Sequence, residues 1–407
     1  MKKFTNALLA ASVIATAVTA NSAITAVKVS SNIDSVTNSS SVWDSAKFSK
    51  VTLYPQTTIK LNDKIANELN ANNTAVVAEV AAVYNDTNIA FIIKWEDGTK
   101  SIQESHKTDS YSDGFAVQFA SDYKNPKELP YIGMGSEGRP VVVHLQKDAG
   151  STFEPNGKGD VYYQVNPNQT NLFEGKLEEY NKQVSKIAST DYERTFVSEG
   201  FRSMTEIKDG SSKSSSTITY EEPGFFSSAK AAWNGTLTRE LKDEYLNLDS
   251  RVIPVAFAVW DGAKLGRNGL KNLSGWTAVI LEDKKGSQDL VSALNADVKG
   301  DIVKGKAAVA DNCTACHQTT STDAPNLMGP SLTNIGGYAT ADYIRESLVN
   351  PSAVVVPGYN RNAHSNYAWY NVENGKRVST MPEFTWLEPK QLDDIIAYLK
   401  TLKAEVK

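Results

Sequence analysis

The sequence contains the pentapeptide Cys313-Thr314-Ala315-Cys316-His317, which holds both cysteines of the chain. A Cys-x-x-Cys-His motif is typical of c-type haem attachment, because two thiols about one helical turn apart can each add to a vinyl group of the porphyrin. The imidazole of His317 would then lie under the ring as the fifth ligand of the iron. The pentapeptide therefore predicts a covalent haem c held through Cys313 and Cys316.

Two other interpretations of the pentapeptide have to be weighed. A zinc site needs about two more Cys or His ligands nearby, and the only later histidine is His364. A thioredoxin-like redox pair is expected at a strand-to-helix turn, whereas a helix-like run from Asp301 to Asn312 precedes Cys313. Both observations favour the haem.

The sixth ligand of this iron is expected from a methionine. Met381 lies in a loop before a final helix that begins near Pro389, and methionine is the usual distal ligand of small electron-transfer cytochromes, where it raises the potential of the iron. Met328 is a rival ligand, but it follows His317 closely in the sequence and is expected to line the pocket instead. We expect His317 and Met381 to ligate the haem c iron.

The segment 299–407 resembles a class I cytochrome c. The resemblance is carried by the helix with Gly305 before the pentapeptide, by Gly329-Pro330-Ser331-Leu332, and by a middle helix near residues 341–348. The terminal helix places its apolar residues at helical spacing, and these are Leu392, Ile395, Ile396, Leu399 and Leu402. The resemblance implies a small all-α domain that transfers electrons.

The rest of the chain must contain at least one more domain, because 407 residues are too many for a cytochrome c. Residues 1–20 predict a secretory signal peptide, with Lys2-Lys3 before a mostly apolar run and small residues ending at Ala20. No later apolar run is long enough to span a membrane. We therefore expect a periplasmic protein that is soluble after signal cleavage.

Charge narrows the range of partners. Without Lys2 and Lys3 the chain has 40 basic and 47 acidic residues, for a net charge of about −7. This acidic balance argues against nucleic acid or an anionic membrane surface as a partner.

Residues 41–283 predict a mainly β sandwich. Short apolar runs recur between turn signals; the run 114–119 alternates so that Phe115, Val117 and Phe119 share one face. Residues 85–88 are a hairpin signal between two such runs. So many short strands are typical of a sandwich.

Three segments depart from the β pattern. An amphipathic helix is expected within 172–187, and a mobile Ser-rich loop at 209–216. Residues 284–298 are expected to be the linker to the C-terminal segment.

Several stretches of this β region carry a second resemblance. They are Trp43, Pro55-Gln56, Trp95 with Asp97, and residues 113–119, 131–135, 200–201, 233–241, 257–262 and 267–276. Together they resemble the haem b-binding γ subunit of ethylbenzene dehydrogenase and its relatives among the type II molybdoenzymes of the dimethyl sulfoxide reductase family.

The second resemblance implies a non-covalent haem b ligated by a methionine and a lysine, which match Met134 and Lys271. Gly133 and Gly135 would let the backbone approach a flat ring closely. Lys271 could ligate only as the neutral amine, so its pKa would have to be lowered by burial and by the iron. The alternative ligands are Met204, His106, His144 and His364, although His144 follows an apolar strand and is more often a satisfied core histidine.

With both irons six-coordinate, neither site would bind a substrate, and no catalytic residue is expected. The predicted function is electron transfer by two haems between a molybdopterin oxidoreductase, through its iron–sulfur subunit, and a respiratory partner. Three alternatives stay open: a stand-alone dihaem cytochrome, a cytochrome c with a β-sandwich docking module that lacks haem b, and an enzyme with one open haem.

Overall fold

The computed structural model of the protein describes residues 23–102, 110–121, 123–148, 192–207, 212–224, 227–323, 328–363 and 366–406. The predicted signal peptide 1–20, the predicted helix within 172–187, His106 and His364 lie outside these residues. In the described part of the chain, no helix has the length and apolar character needed to cross a membrane.

Thirteen strands of the described residues form one sheet, and two more form a separate hairpin. The strands are β1 Ile24–Lys28, β2 Ser49–Pro55, β3 Val76–Tyr84, β4 Asn88–Glu96, β5 Gly114–Ala120, β6 Val141–Lys147, β7 Tyr192–Ser198, β8 Met204–Glu206, β9 Ser214–Glu221, β10 Ala232–Glu240, β11 Val252–Trp260, β12 Asn272–Leu273, β13 Thr277–Leu281, β14 Tyr370–Glu373 and β15 Lys376–Ser379.

The large sheet folds over on itself into a sandwich. Its strand order is β8-β7-β6-β5-β11-β12-β2-β3-β4-β10-β9, and β1 pairs in parallel with both β3 and β13. Aromatic side chains meet between the layers, with the Phe91 ring centroid 5.8 Å from that of Phe119 and 6.2 Å from that of Phe257. Phe115, Val117 and Phe119 all face this core, as their alternation predicts. The predicted β sandwich is confirmed.

Two local features differ from expectation. Strand β1 lies before residue 41 and was not anticipated, because its five residues carry no turn or alternation signal of their own. The prediction of a Ser-rich loop at 209–216 is wrong at its end, because Ser214–Ser216 belong to β9 and pair with β10. That ladder satisfies the serine backbone groups, and the Ser216 hydroxyl donates to Gln146 Oε1 at 2.9 Å.

The two outer faces of the sandwich are covered differently. Ile33, Val36 and Trp43 pack on the outer face of β3 and β4. The outer face of β5, β6, β11 and β12 packs against the 129–135 loop and against the C-terminal domain, residues 299–406. Both candidate sites described below lie on that second side.

The helices are α1 Lys64–Ala71, α2 Asp289–Leu294, α3 Ile302–Asn312, α4 Ile335–Tyr338, α5 Ala341–Val349 and α6 Pro389–Leu399. Asp301 caps α3, its carboxylate accepting from the backbone N–H of Val303 and Lys304. α6 begins at Pro389 after a capping box formed by Glu388 and Gln391.

The C-terminal domain is helical, as expected, with the β14–β15 hairpin as an addition. α3 and α6 cross closely, since a Cβ at Gly305 would overlap the carbonyl of Asp394. α2 falls within the expected linker and buries Leu290, so this part of the chain is packed rather than free. The domain boundaries themselves stay predictions.

The C-terminal domain is docked on the sandwich through polar as well as apolar contacts. Arg139 and Glu346 form a bidentate ion pair. Arg377 pairs with Glu137 at 2.9 Å, and the Asn334 side chain donates to the Pro55 carbonyl at 3.1 Å. The domain is therefore packed against one face of the sandwich and is not joined to it by a flexible linker alone.

Candidate functional site

A cavity lies in the C-terminal domain where it meets the sandwich. Cys313, Cys316, His317 and Met381 all line it. The backbone N–H groups of Cys316 and His317 both donate to the Cys313 carbonyl, at 3.0 and 2.9 Å. This turn continues α3 and presents both sulfurs and the imidazole to one space, as attachment of a porphyrin requires.

The His317 ring is oriented by its neighbours. Its Nδ1 lies 2.7 Å from the Pro330 carbonyl, so Nδ1 carries the proton and Nε2 keeps its lone pair for a metal. Gly329 fits against the imidazole, because a Cβ there would lie 2.6 Å from Cε1 of His317. Burial lowers the pKa of His317, which favours the neutral ring that binds iron.

The two cysteines do not have the environment of a redox pair. Burial raises the pKa of the Cys313 thiol to about 11, whereas a redox-active Cys-x-x-Cys pair lowers it. Among the described residues, the only cluster of three or more His, Cys, Asp or Glu side chains close enough to share a metal ion is Asp97, Asp113 and Asp261, in the sandwich. Neither observation favours the redox or zinc interpretation.

Met381 enters the cavity from the end of the β14–β15 hairpin. Its backbone N–H donates to Ser379 Oγ at 3.1 Å, and Thr380 is bonded to the backbone of Trp369 and Ala368. The rival, Met328, lines the same cavity, and 39 % of its surface is exposed. Both thioethers reach the cavity.

A second candidate site lies on the outer face of β5, β11 and β12. This face is flat because its side chains are small; they are Ala116, Ala120, Ala256 and Ala258. The 129–135 loop lies over it, because the side-chain amide of Gln118 donates to the Ile132 carbonyl at 3.0 Å. A flat apolar face beneath a loop is a suitable binding surface for a flat ring.

Met134 lies near the end of that loop, partly buried and in a strained conformation. Its φ of 77° lies in the left-handed region, which a methionine rarely adopts. Gly135 follows with a φ of 88°, and Ser198 Oγ donates to the Met134 carbonyl at 2.8 Å. Backbone strain of this kind concentrates at functional sites.

Lys271 is buried beside β12 with little to compensate its charge. Its Nζ lies 5.4 Å from the centre of the Trp260 ring, and its hydrogen bond to the Asn268 carbonyl is long, at 3.5 Å. Burial, together with repulsion from Lys147, lowers the pKa of Lys271 to about 8. Less free energy is therefore needed to form the neutral amine, which can ligate a metal.

Gln56 contacts both candidate ligand segments. Its backbone N–H donates to the Lys271 carbonyl at 2.9 Å. Its side-chain Nε2 would lie 2.8 Å from a Cβ at Gly133, next to Met134. Gln56 Oε1 is buried without a hydrogen-bond partner. The methionine and lysine segments thus lie on one side of the sandwich around a buried polar group, and their thioether and amine are the donor types that the second resemblance implies for a haem b.

The alternative ligands are placed less favourably where the structure describes them. His144 is buried in the inner core, with Nε2 3.0 Å from Arg239 Nη1 and Nδ1 3.1 Å from Thr195 Oγ1, so it is a satisfied core histidine. Met204 is exposed at the start of β8.

Sequence reasoning missed the two sandwich residues that line the first cavity. Thr58 and Tyr131 belong to the sandwich, yet they line the cavity that holds the pentapeptide. The Tyr131 segment was recognised as part of a resemblance, but no local spacing indicates that it reaches the other domain.

These features define the class of protein: a β-sandwich joined to a C-terminal haem-binding domain of the electron-transfer type. Residues 40–272 match the family model described as ethylbenzene dehydrogenase, and residues 302–403 match the model described as cytochrome c. The chain belongs to the ethylbenzene dehydrogenase family and carries a C-terminal cytochrome c domain, as both resemblances predicted. Its role is electron transfer.

No curated protein matches the chain. Among solved structures, one similar chain is a family 9 carbohydrate binding module from Caldicellulosiruptor kristjanssonii in complex with glucose. It is 8 % identical, covers 65 % of this chain and 97 % of its own, and has a TM-score of 0.28.

Proposed function

We propose that the protein is an exported, periplasmic electron-transfer protein with two haems, and that it passes electrons between a molybdopterin oxidoreductase and a respiratory partner. The observation that carries this proposal is the shared position of the two candidate sites. Thr58 and Tyr131 line the cavity of Cys313 and His317. Tyr131 is hydrogen-bonded to Gly135, next to Met134, and Gln56, two residues before Thr58, is hydrogen-bonded to Lys271.

Cys313 and Cys316 would bind haem c covalently, and His317 and Met381 would ligate its iron. Met134 and Lys271 would ligate the iron of haem b. When bound, such six-coordinate haems exchange single electrons and leave no position for a substrate.

The protein residues supply orientation and a dry environment. The Pro330 carbonyl holds the proton of His317 on Nδ1, and the hairpin fixes Met381. Burial lowers the pKa of Lys271 to about 8, so less free energy is needed to form the neutral amine that would ligate iron. Thr58 and Tyr131 complete the wall of the haem c cavity from the sandwich side. His317 and Met381 would thus be oriented toward the haem c iron by the residues around them.

Partners follow from the family. Ethylbenzene dehydrogenase-type γ subunits assemble with an iron–sulfur subunit and a molybdopterin subunit, and we propose the same association for this chain. The signal peptide expected at residues 1–20 would place the complex in the periplasm.

The proposal is tested by acid–acetone extraction of the purified protein, alongside the variants Met134→Ala and Lys271→Ala. We expect the wild type to release one extractable haem and to keep one covalent haem. Each variant should lose the extractable haem and keep the covalent one. Met204→Ala and Lys230→Ala serve as controls, because both side chains are exposed on the sandwich.

A wild type that releases no haem would leave a cytochrome c with a sandwich docking module. Extractable haem that survives in both variants would move the ligands elsewhere. Co-purification with a molybdopterin subunit from the native host separates a complex subunit from a stand-alone cytochrome.

A further inference from the structure

Two residues of the sandwich form part of the haem c cavity. Thr58 and Tyr131 line it beside His317. The Thr58 Oγ1 and Tyr131 Oη atoms lie 2.7 Å apart and share a hydrogen bond. Tyr131 is almost fully buried, at 1 % exposure. The cavity is therefore incomplete without the sandwich.

Each member of this pair leads directly to a proposed haem b ligand. Tyr131 precedes Met134 by three residues, and the turn between them is closed by the Gly135 N–H, which donates to the Tyr131 carbonyl at 2.8 Å. Thr58 follows Gln56 by two residues, and the Gln56 N–H donates to the Lys271 carbonyl at 2.9 Å. The route from Tyr131 to Met134 follows the covalent chain, and the route from Thr58 to Lys271 crosses one backbone hydrogen bond. They meet at the Thr58–Tyr131 hydrogen bond.

Packing fixes Tyr131 in this position. Its ring stacks on that of Tyr343, with centroids 5.2 Å apart and planes at 29°, and meets the Tyr359 ring edge-on at 6.1 Å. On the other side, a Cβ at Gly133 would lie 2.5 Å from Cε1 of Tyr131. The ring is held from both domains, so a shift of the 129–135 loop would move the wall of the haem c cavity.

We propose that Thr58 and Tyr131 are positioning residues that couple the haem b site to the haem c site. This inference rests on the proposed function. The step that they serve is transfer of one electron between the two irons: one iron is oxidised from Fe(II) to Fe(III) as the other is reduced from Fe(III) to Fe(II), and no bond or proton changes. A rigid, hydrogen-bonded contact between the two sites holds them in a fixed relative position, and the rate of electron transfer depends on that position.

The test uses the full-length protein carrying its haems, with Tyr131→Phe and Thr58→Val. Each variant removes the shared hydrogen bond and nearly preserves side-chain volume. The oxidised protein is partly reduced within the dead time of a rapid-mixing instrument, and equilibration between the b-type and c-type absorption bands is followed. Tyr84→Phe is the matched control, because Tyr84 is a buried tyrosine of the inner core outside both sites.

Both variants should slow equilibration several-fold and to a similar extent, the double variant should be no slower than either one, and Tyr84→Phe should match the wild type. Haem content and both reduction potentials are measured on every sample, and the variants should keep both haems. Wild-type rates in Tyr131→Phe and Thr58→Val, with both haems present, would overturn the coupling role and leave the proposed function intact. A wild type with haem c only would overturn both.

Discussion

Arg139 of the sandwich and Glu346 of the C-terminal domain form a two-pronged ion pair, with Nη1–Oε2 and Nη2–Oε1 distances of 2.7 and 2.6 Å. The residues are 207 positions apart in the chain, and both side chains are about four-fifths buried. Parallel hydrogen bonds between a guanidinium and a carboxylate are stronger and more directional than a single contact. This pair therefore fixes the orientation in which the two domains dock.

A double-mutant cycle on this pair should reveal a favourable interaction. We expect Arg139→Gln and Glu346→Gln to show a coupling free energy of about 1–2 kcal/mol, because the pair is bidentate and shielded from solvent. Denaturant unfolding of the single and double variants measures it. The exposed pair Lys230–Glu96 is the control and should give about 0.5 kcal/mol or less. Equal coupling in the two pairs would argue against a special role for the interdomain contact.

Met381→Ala should leave haem c attached and change its electronic properties. The thioether bonds to Cys313 and Cys316 do not depend on the distal ligand, but loss of methionine sulfur lowers the potential of the iron. Visible spectroscopy and a redox titration of the purified variant measure both effects. Met328→Ala is the companion variant; if it shifts the spectrum and Met381→Ala does not, then Met328 is the ligand.

Replacing Gly305 by alanine should destabilise the C-terminal domain, although this change usually stabilises a helix by about 1 kcal/mol. The sign reverses because the new Cβ would overlap the Asp394 carbonyl where α3 crosses α6. We expect a loss of about 1–3 kcal/mol from overpacking, measured by thermal unfolding of the haem-loaded protein. Gly98→Ala is the control, since no atom lies within 4 Å of its Cβ position. A more stable Gly305→Ala protein would mean that the helices do not cross at this residue.

Asp113 should make the stability of the sandwich depend on pH. Its carboxylate accepts from the backbone N–H of Ser101 and Gly262 and from Trp233 Nε1, yet burial raises its pKa from 3.8 to about 7. Between these two values the folded state binds the proton that the unfolded state has released. The Asp113 contribution is thus full below pH 3.8 and is lost as the pH rises through about 7.

Urea unfolding from about pH 4 to 8 measures this dependence, which is at most about 1.4 kcal/mol per pH unit for one proton. The Asp113→Asn side chain cannot ionise, so the unfolding free energy of this variant should fall less steeply with pH. The variant should also be less stable than the wild type at every pH, because the amide offers fewer acceptors to the three donors. Identical slopes in the two proteins would show that another group is responsible.

Local signals in the sequence predicted much of this molecule. The pentapeptide, the helix before Cys313 and the start of α6 at Pro389 depend on residues within one or two turns of each other, so their spacing is enough to recognise them. The alternation of Phe115, Val117 and Phe119 likewise predicts which face is buried.

Long-range packing could not be predicted in the same way. β1 is defined by its two parallel partners, and α2 lies in a polar segment whose one fully buried residue is Leu290. The position of Tyr131 in the wall of the haem c cavity depends on how the domains dock, and no spacing within residues 129–135 encodes it. Contacts of this kind follow from complementary surfaces that are far apart in the chain.

The most direct test of the account is the pyridine haemochrome spectrum of the purified wild-type protein, which distinguishes and quantifies b-type and c-type haem. The account predicts one of each per chain. A spectrum with c-type haem and no b-type haem would contradict it, and the sandwich would then have to serve a purpose other than electron transfer.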